Sequence, residues 1–366
     1  MHVHMQSSDV LIIAAIACRP YVKLAVEAGY QVIAIDAYAD VDTQKLAKQS
    51  FQVSYDGCCL DDQEILRILD NIDLSGVLGF CYGAGFETKP EVLNEVKRQV
   101  TVLGNTAEAI TKCKSPQYFF GLCQRLNMPF PRYSDARPAQ TQDWLKKRIG
   151  GSGGHHVSKA SDRGLDDIQF YYQKVQKGLP VSCLFLAAQK CVQLIGINEQ
   201  WVAADNASPY RYGGAVSQAT PTGINKESLL DFLQAITDSF ELVGLNSCDF
   251  ILDDDVLYAL EINPRLSASI DLYDVIEGNL FSAHIDACMQ REVACLTISK
   301  EAKAHQIIYA KNDLIVKKDQ EWSDWVRDIP QPGSKISAGM PVCTVIAQAD
   351  NAEKAKKLVK ERSVLI

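Results

Sequence analysis

Apolar and polar positions along the first part of the chain follow two different periods, and the switches between them outline the elements. The run "VLIIAAIA" has no polar interruption and predicts a strand buried on both faces. Arg19 to Gly29 follows with helical spacing and closes on a glycine, the residue that favours a helix C-terminus. "QVIAID" predicts a second strand, ended by the polar stretch Tyr38 to Asp42. A helix near Asp61–Asn71 leads to "GVLGF", a third strand, and then to the loop "CYGAGFE". Strands alternating with helices predict a parallel, Rossmann-like sheet. After the first strand comes "ACRP" in place of GxGxxG, so no NAD site is expected at that turn.

From Thr106 to about Leu126 the spacing is helical, and "NMPFPRYSDARP" is a proline-punctuated connection. "WLKKRIGGSGGHHV" predicts a strand running into a glycine loop, with further strands at "FYYQKVQ" and "SCLFLAAQKCVQLIGINEQW". Helical periodicity returns at Lys226 to Val243, just before an acidic hairpin. After Cys288, short strands ("QIIYA", "DLIVKK", "PVCTVIAQA") alternate with turn signals at "PQPGSK" and "SAGMP", and a helix over Asn351–Glu361 follows. The pattern divides the chain into a Rossmann-like unit at 1–108, a central unit at 109–292 with a flap at about 143–200, and a small β-rich unit at 293–366.

The 366 residues, 47% hydrophobic and 22% charged, have ordinary globular composition. A net charge of -8, with no long Lys/Arg run, argues against a nucleic-acid partner. Twelve cysteines, one adjacent pair (Cys58-Cys59) and no CxxC suit a reducing cytoplasm better than a disulfide framework. The six histidines, at 2, 4, 155, 156, 284 and 305, show no HExxH spacing, which disfavours zinc. "DVLIIAAIA" is too short to span a bilayer and has no basic segment before it, so no membrane partner is expected.

The chemistry concentrates in "CDFILDDDVLYALEINPR", residues 248 to 265. Two strand-like runs flank three consecutive aspartates, a good polar turn. A hairpin with a three-residue loop, 254 to 256, pairs Asp253 with Leu257 and sets Asp249 opposite Glu261. Directly opposed side chains lie about 4.5–5.5 Å apart at Cβ, and like charges there repel. A divalent cation between them turns the repulsion into coordination. Asn263, two residues beyond Glu261, points to the same face. Three converging oxygen ligands suit Mg²⁺, with Mn²⁺ as a substitute. Arg265 follows by the same alternation and would grip a carboxylate or phosphate. The bland alternative is a solvated acidic hairpin, but the apolar flanks of "YALEIN" speak against it.

The second element is the loop Gly150–Gly154, four glycines interrupted by Ser152. Such a loop frees backbone N–H groups to curl around phosphate oxygens. Lys147, on the strand before it, would reach the same phosphates as a point charge. The loop lacks the GxxxxGK[ST] of a Walker A motif, and no helix is predicted after it, so it is a strand–loop–strand flap.

These residues resemble the ATP-grasp superfamily, in which a lysine-bearing strand and glycine flap close over ATP and a D/E…E-x-N-x-R hairpin carries magnesium. "EINPR" is the specific match, and "AIDAYADVDTQKLA", "GAGFETKPEVL" and "YRYGGAV" further resemble a branch of ATP-grasp carboligases linked to pterin and furan one-carbon pathways. The resemblance implies an α/β chain: a Rossmann-like N-terminal domain, an ATP-grasp fold of two α+β subdomains clasping ATP, and a small β-rich C-terminal domain. It implies carboxylate–amine ligation through an acyl phosphate, with ATP and magnesium, on small-molecule substrates. Glutamate joined to a cofactor precursor is one such pairing. Residue by residue, it places Lys114 and Lys147 on the phosphates, with Gly151, Ser152, Gly153 and Gly154 covering them. Gln173, Lys174 and Val175 fall at the adenine hinge, Asp249, Glu261 and Asn263 on the metal, and Arg265 with Lys147 at the chemistry.

Two departures stand out. "GLPVS" follows the hinge where many relatives have a ribose-binding acid, and Arg148 follows Lys147 where many have proline. His155 and His156 are expected to be exposed loop residues. Arg19, Glu87, Arg211 and Tyr212 lie on loops where the first two units should meet and are candidate substrate contacts. Dimers are frequent in the family, so a homodimer is one expected assembly. An ATP-grasp kinase without amide formation shares all these features, whereas an oxidoreductase lacks its glycine fingerprint and a nucleotide sensor would not need every ligand.

Overall fold

The computed structural model describes residues 9–162, 169–188, 191–206 and 208–366, so His2 and His4 lie outside the described residues. Its first unit runs β1 (Val10–Ala15), α1 (Arg19–Glu27), β2 (Gln31–Asp36), α2 (Val41–Leu46), β3 (Gln49–Gln52), α3 (Asp62–Asn71), β4 (Val77–Tyr82) and α4 (Val92–Lys97). The four strands form a parallel sheet in the order β3-β2-β1-β4. Every residue of β1 is buried, because helices cover both faces of the sheet. The sequence pattern passes over α2 and β3. β3 is the polar tetrapeptide "QSFQ" at the sheet edge, which carries no apolar run to detect.

The helical stretch after Thr106 is two helices, α5 (Ala107–Lys114) and α6 (Pro116–Arg125). Ser115 is extended, with φ -77° and ψ 119°, because a following proline disfavours the helical region. That break leaves Lys114 at the end of α5.

A small antiparallel sheet, ordered β5-β8-β6-β7, comes next: β5 (Tyr133–Ser134), β6 (Trp144–Arg148), β7 (Val157–Lys159) and β8 (Phe170–Lys174). β9 (Leu179–Ala188), β10 (Cys191–Val202), β11 (Tyr212–Val216), α7 (Lys226–Phe240), β12 (Gly244–Asp253) and β13 (Val256–Asn263) build the next layer. Beyond them lie a ribbon of β14 (Val275–Glu277) and β15 (Thr297–Ile298), with α8 (Leu280–Cys288) between, then β16 (Ala302–Tyr309). The chain continues through β17 (Leu314–Ile315), β18 (Val326–Arg327), β19 (Lys335–Ile336), β20 (Pro341–Ala349) and α9 (Ala352–Ser363), with β17 pairing β19.

One eight-stranded sheet, β13-β12-β9-β10-β11-β16-β20-β18, carries the acidic hairpin at one edge and the last strands at the other. The β11–β16 pairing, Gly214 opposite Gln306, joins the two halves. Leu11, Ile13 and Val32 of the parallel sheet share a core with Leu184, Leu186, Leu245 and Phe281. That shared core fixes the first sheet against the large one. Phe119, Phe120, Phe185, Leu233, Phe250 and Ile262 form a second core beneath the hairpin. Among the described residues, no helix is long and apolar enough to cross a membrane.

Candidate active site

The hairpin sets Asp249 opposite Glu261, as the pattern predicts, but by another route. The turn has two residues, not three: Asp253 pairs with Val256, and Asp254 takes φ 50°. A bulge next to Asp249 leaves Leu260 as the extra residue and restores the pairing. Asn263 then falls beside the pair. Its Nδ2 donates to Asp249 Oδ2 at 2.8 Å, and its Oδ1 accepts from Lys114 Nζ at 2.7 Å. Lys114 is also 3.9 Å from Glu261 Oε2. α5 thus delivers a buried ammonium directly onto the acidic face.

Burial and the charge of Glu261 together raise the Asp249 pKa. Burial would raise Glu261 too, but Lys114 and then Lys147 hold it well below the usual glutamate range. Two buried carboxylates whose ionisation is shifted in opposite directions mark a candidate functional site. Among the described residues no three His, Cys, Asp or Glu side chains cluster as a metal centre. Two carboxylates and an amide oxygen are a donor set suited to Mg²⁺, which keeps waters and phosphate oxygens as its other ligands.

Lys147 lies on β6 and is buried, its Nζ 3.2 Å from Gln173 Oε1 on β8. Burial would depress its pKa, but Tyr171, Glu261 and Asp249 raise it, so the ammonium stays charged. Gln173 is 2% exposed, and its Nε2 has no hydrogen-bond partner. A buried orphan donor beside a phosphate-type lysine fits a nucleotide acceptor. The Lys174 N–H is taken by Arg132 O and the Val175 N–H by Asp143 O, both at 2.8 Å, so these hinge groups are satisfied within the protein.

The glycine loop is seated over the cleft. Gly153 O accepts from Tyr212 N at 3.0 Å. A Cβ on Gly150 would lie 2.4 Å from Glu87 O, and one on Gly154 2.0 Å from Tyr210 O. Both glycines also have positive φ, 75° and 77°. The loop's glycines therefore serve close docking onto two neighbouring loops, a role the phosphate argument did not supply. Its inner face, with Lys114, Ser115, Pro116 and Glu261, lines a small cleft.

His156 corrects the expectation of an exposed loop residue. Only His155 is exposed. His156 is half-buried with its ring against Gly151, and Nδ1 lies 3.2 Å from Ser152 O. Burial lowers its pKa to about 4, with Glu261 opposing and Lys147 and Lys114 reinforcing the shift, so the ring is neutral.

Strand β13 ends at Asn263, yet Arg265 still reaches the site. Its Nε donates to Glu87 Oε1 at 2.8 Å and its Nη2 lies 3.4 Å from Asn263 Oδ1. Glu87 also accepts from the N–H groups of Gly85 and Phe86, so it braces Arg265 from within the protein. The other substrate candidates are each engaged by different partners. Arg19 bridges Asp271 at 2.7 Å and Asp328 at 2.8 Å. Arg211 is held by Asp205, Ala203 O and Gly339 O, and stacks 3.7 Å from the Tyr309 ring centroid. Tyr212 Oη lies 2.6 Å from His305 Nε2. Sequence reasoning missed Gln200, whose Nε2 donates to Asp249 Oδ1 at 3.2 Å. Gln200 sits two strands away, reaching past β9, where small Ser182 lies opposite Asp249, and no local signal marks it.

A family model described as an ATP-grasp domain matches residues 120–269. An uncharacterized protein of Methanocaldococcus jannaschii is 22% identical over 365 residues, covering 92% of this chain and 88% of the relative. The biotin carboxylase domain of Hydrogenobacter thermophilus 2-oxoglutarate carboxylase, solved as a dimer with MgADP, ADP and bicarbonate, is similar with TM-score 0.72 and 14% identity, over 96% of this chain and 88% of that one. The L-amino acid ligase of Bacillus licheniformis has TM-score 0.69 at 11% identity, over 96% of both chains. N5-carboxyaminoimidazole synthetase of Staphylococcus aureus, solved with ADP, has TM-score 0.68 at 14% identity, over 97% of both. Residues 120–269 of this chain are therefore an ATP-grasp domain.

Proposed function

We propose that the chain is an ATP-dependent carboxylate–amine ligase working through an acyl phosphate. The observation that carries this reading is convergence: Lys114 from α5 reaches Asn263 and Glu261 of the hairpin, and Lys147 from a separate small sheet helps hold Glu261 ionised, beside the glycine loop. Asp249, Glu261 and Asn263 would hold Mg²⁺, or Mn²⁺ in its place, which supplies charge neutralisation at the phosphate oxygens. Lys114 and Lys147 bind the phosphates as point charges, and the backbone of Gly151, Ser152, Gly153 and Gly154 covers them. The orphan Gln173 amide donates to the nucleotide, with Lys174 and Val175 bordering the adenine.

The substrate carboxylate attacks the γ-phosphorus, an O–P bond forms, and the bond to ADP breaks. The amine then attacks the acyl carbon, the C–N bond forms, and phosphate leaves with the C–O electron pair. Arg265, fixed by Glu87, stabilises the negative charge that develops at that carbon's oxygen. The seated loop keeps water from the acyl phosphate. No side-chain nucleophile is required.

Within this reading, 1–108 is the Rossmann-like domain, 109–292 the grasp and 293–366 the C-terminal domain. The likeness of "AIDAYADVDTQKLA" and "YRYGGAV" to the one-carbon branch supports an amino acid such as glutamate as one substrate and a cofactor precursor as the other. A similar domain solved as a dimer supports a homodimer. An ADP-release screen over amino acids and amines with Mg-ATP, products weighed by mass spectrometry, tests the proposal. An amide product is expected. A phosphorylated product alone replaces the ligase with a kinase built on the same nucleotide machinery.

A further inference from the structure

Amide formation needs a proton acceptor, and the groups around the acids are poor candidates. Lys114, Lys147 and Arg265 carry no free lone pair, Glu87 is bonded to Arg265, and His156 is hemmed in by two lysines. Asp249 and Glu261 are committed to the metal under the ligase reading. Beside the glycine loop stands a different pair. Tyr212 opens β11 at the rim of the seated loop, its own N–H bonded to Gly153 O and its carbonyl accepting from Tyr309 Oη at 2.9 Å. It lies near enough to Asp249 that this carboxylate, after burial, pushes the phenol pKa up. Its hydroxyl meets His305, a 4% exposed residue of β16 that lies outside the matched residues 120–269.

We propose that Tyr212 and His305 are the proton-accepting pair for the amine substrate, Tyr212 touching the amine and His305 acting through it as a positioning and relay residue. The inference rests on the ligase reading and deepens it. As the amine nitrogen bonds to the acyl carbon, its proton passes to Tyr212 Oη while the phenol proton passes to His305 Nε2. Phosphate departs with the C–O electron pair, and His305 becomes an imidazolium. The charged groups around it are Asp271, Arg19 and Asp328; the two carboxylates favour the cation, the guanidinium opposes it, and burial outweighs them. Burial lowers its pKa to about 4, so the ring rests neutral and holds the phenol proton only in passing. The arrangement gives the C-terminal strand β16 a part in the chemistry that the matched domain alone does not contain.

The test compares two nucleophiles in Tyr212→Phe and His305→Gln variants of the full chain, with Mg-ATP and an amino-acid pool including L-glutamate. Hydroxylamine is unprotonated at neutral pH and traps an acyl phosphate as a hydroxamate without a base, whereas an ordinary amine needs one. The expected result is amide formation down on the order of 100-fold in both variants, the low end of what a general base contributes, with hydroxamate formation within about threefold of the parent. Amide and hydroxamate falling together, or neither falling, overturns the pair. A parent protein that turns over Mg-ATP yet forms neither product ends the ligase reading, and this one with it.

Discussion

The acidic hairpin and the glycine loop meet over one cleft but are built on opposite principles. The hairpin belongs to an eight-stranded sheet; β12 is paired on both sides, and Cys248, Phe250 and Ile262 anchor it in the core. The loop belongs to a four-stranded sheet of two- to five-residue strands, and it reaches its neighbours through single contacts: Gly153 to Tyr212, Arg148 to Cys58, and two bare glycine backbones. A ligand set for a small, hard cation must be rigid, because its geometry sets the strength of coordination. A cover must admit nucleotide and then exclude water, so it has to release cheaply. Under the proposed function, this difference in anchoring, rather than sequence distance, would separate the part that holds the metal from the part that covers the nucleotide.

The largest expected effect breaks the rigid side. Glu261→Ala removes one of two opposed acids and should cut ADP release by at least on the order of 10²–10³-fold with a modest loss of thermal stability, since relief of the contact with Asp249 is offset by the carboxylate that Lys114 and Lys147 lose. A melting temperature that collapses alongside activity would show that the acid is structural. Phe250→Ala empties a core site beside Phe232, 6.2 Å away between ring centroids, and should cost about 3–5 kcal/mol in denaturant unfolding.

Glu87→Gln strikes where the two regions meet, since Glu87 braces Arg265 by its side chain and seats Gly150 by its carbonyl. Leaving Arg265 buried without its carboxylate should cost about 3–5 kcal/mol at neutral pH. Burial would raise the Glu87 pKa, but Arg265 and Lys114 lower it below its ordinary 4.5. The pair's contribution is therefore complete above pH 4.5 and is lost as pH falls through the depressed folded value. Unfolding of parent and variant should converge in acid, and a constant gap across pH would exclude ionisation as its source.

The loop gives smaller effects. Gly154→Ala meets Tyr210 O at 2.0 Å at a positive φ, so the loop seats badly and ADP release should fall roughly 10- to 100-fold with little change in melting temperature. Gly153→Ala has the same backbone demand, φ 68°, but its nearest neighbour is the His155 ring at 3.7 Å. It should lose no more than a few-fold. Equal losses in the two variants would mean that backbone strain, and not docking, controls the cover.

Much of this was legible in the chain. The hydrophobic periods locate β1, β2, α3, α7 and the acidic hairpin, because each carries a run long enough to declare its burial. The Asp249–Glu261 pairing was legible too, though through two offsetting errors, a shorter turn and a bulge at Leu260. What stayed hidden depended on other elements. β3 is a polar edge strand, and α5 and α6 read as one helix because Ser115 looks helical until Pro116 restrains it. Arg19 and Arg211 appear as free cations in the sequence, while the folded chain occupies both.

The order of residues alone determined which groups are available and which face of its own strand each one takes, because side-chain direction along a strand follows from local geometry. It thus placed Asp249, Glu261 and Asn263 together within one hairpin. Tertiary structure decided everything that joins distant segments: Lys114 reaching Asn263 from α5, Gln200 reaching Asp249 past Ser182, and His305 meeting Tyr212 from β16. Those contacts depend on how sheets stack and strands order, and that arrangement is set by burial summed over the whole chain rather than by any short stretch of it.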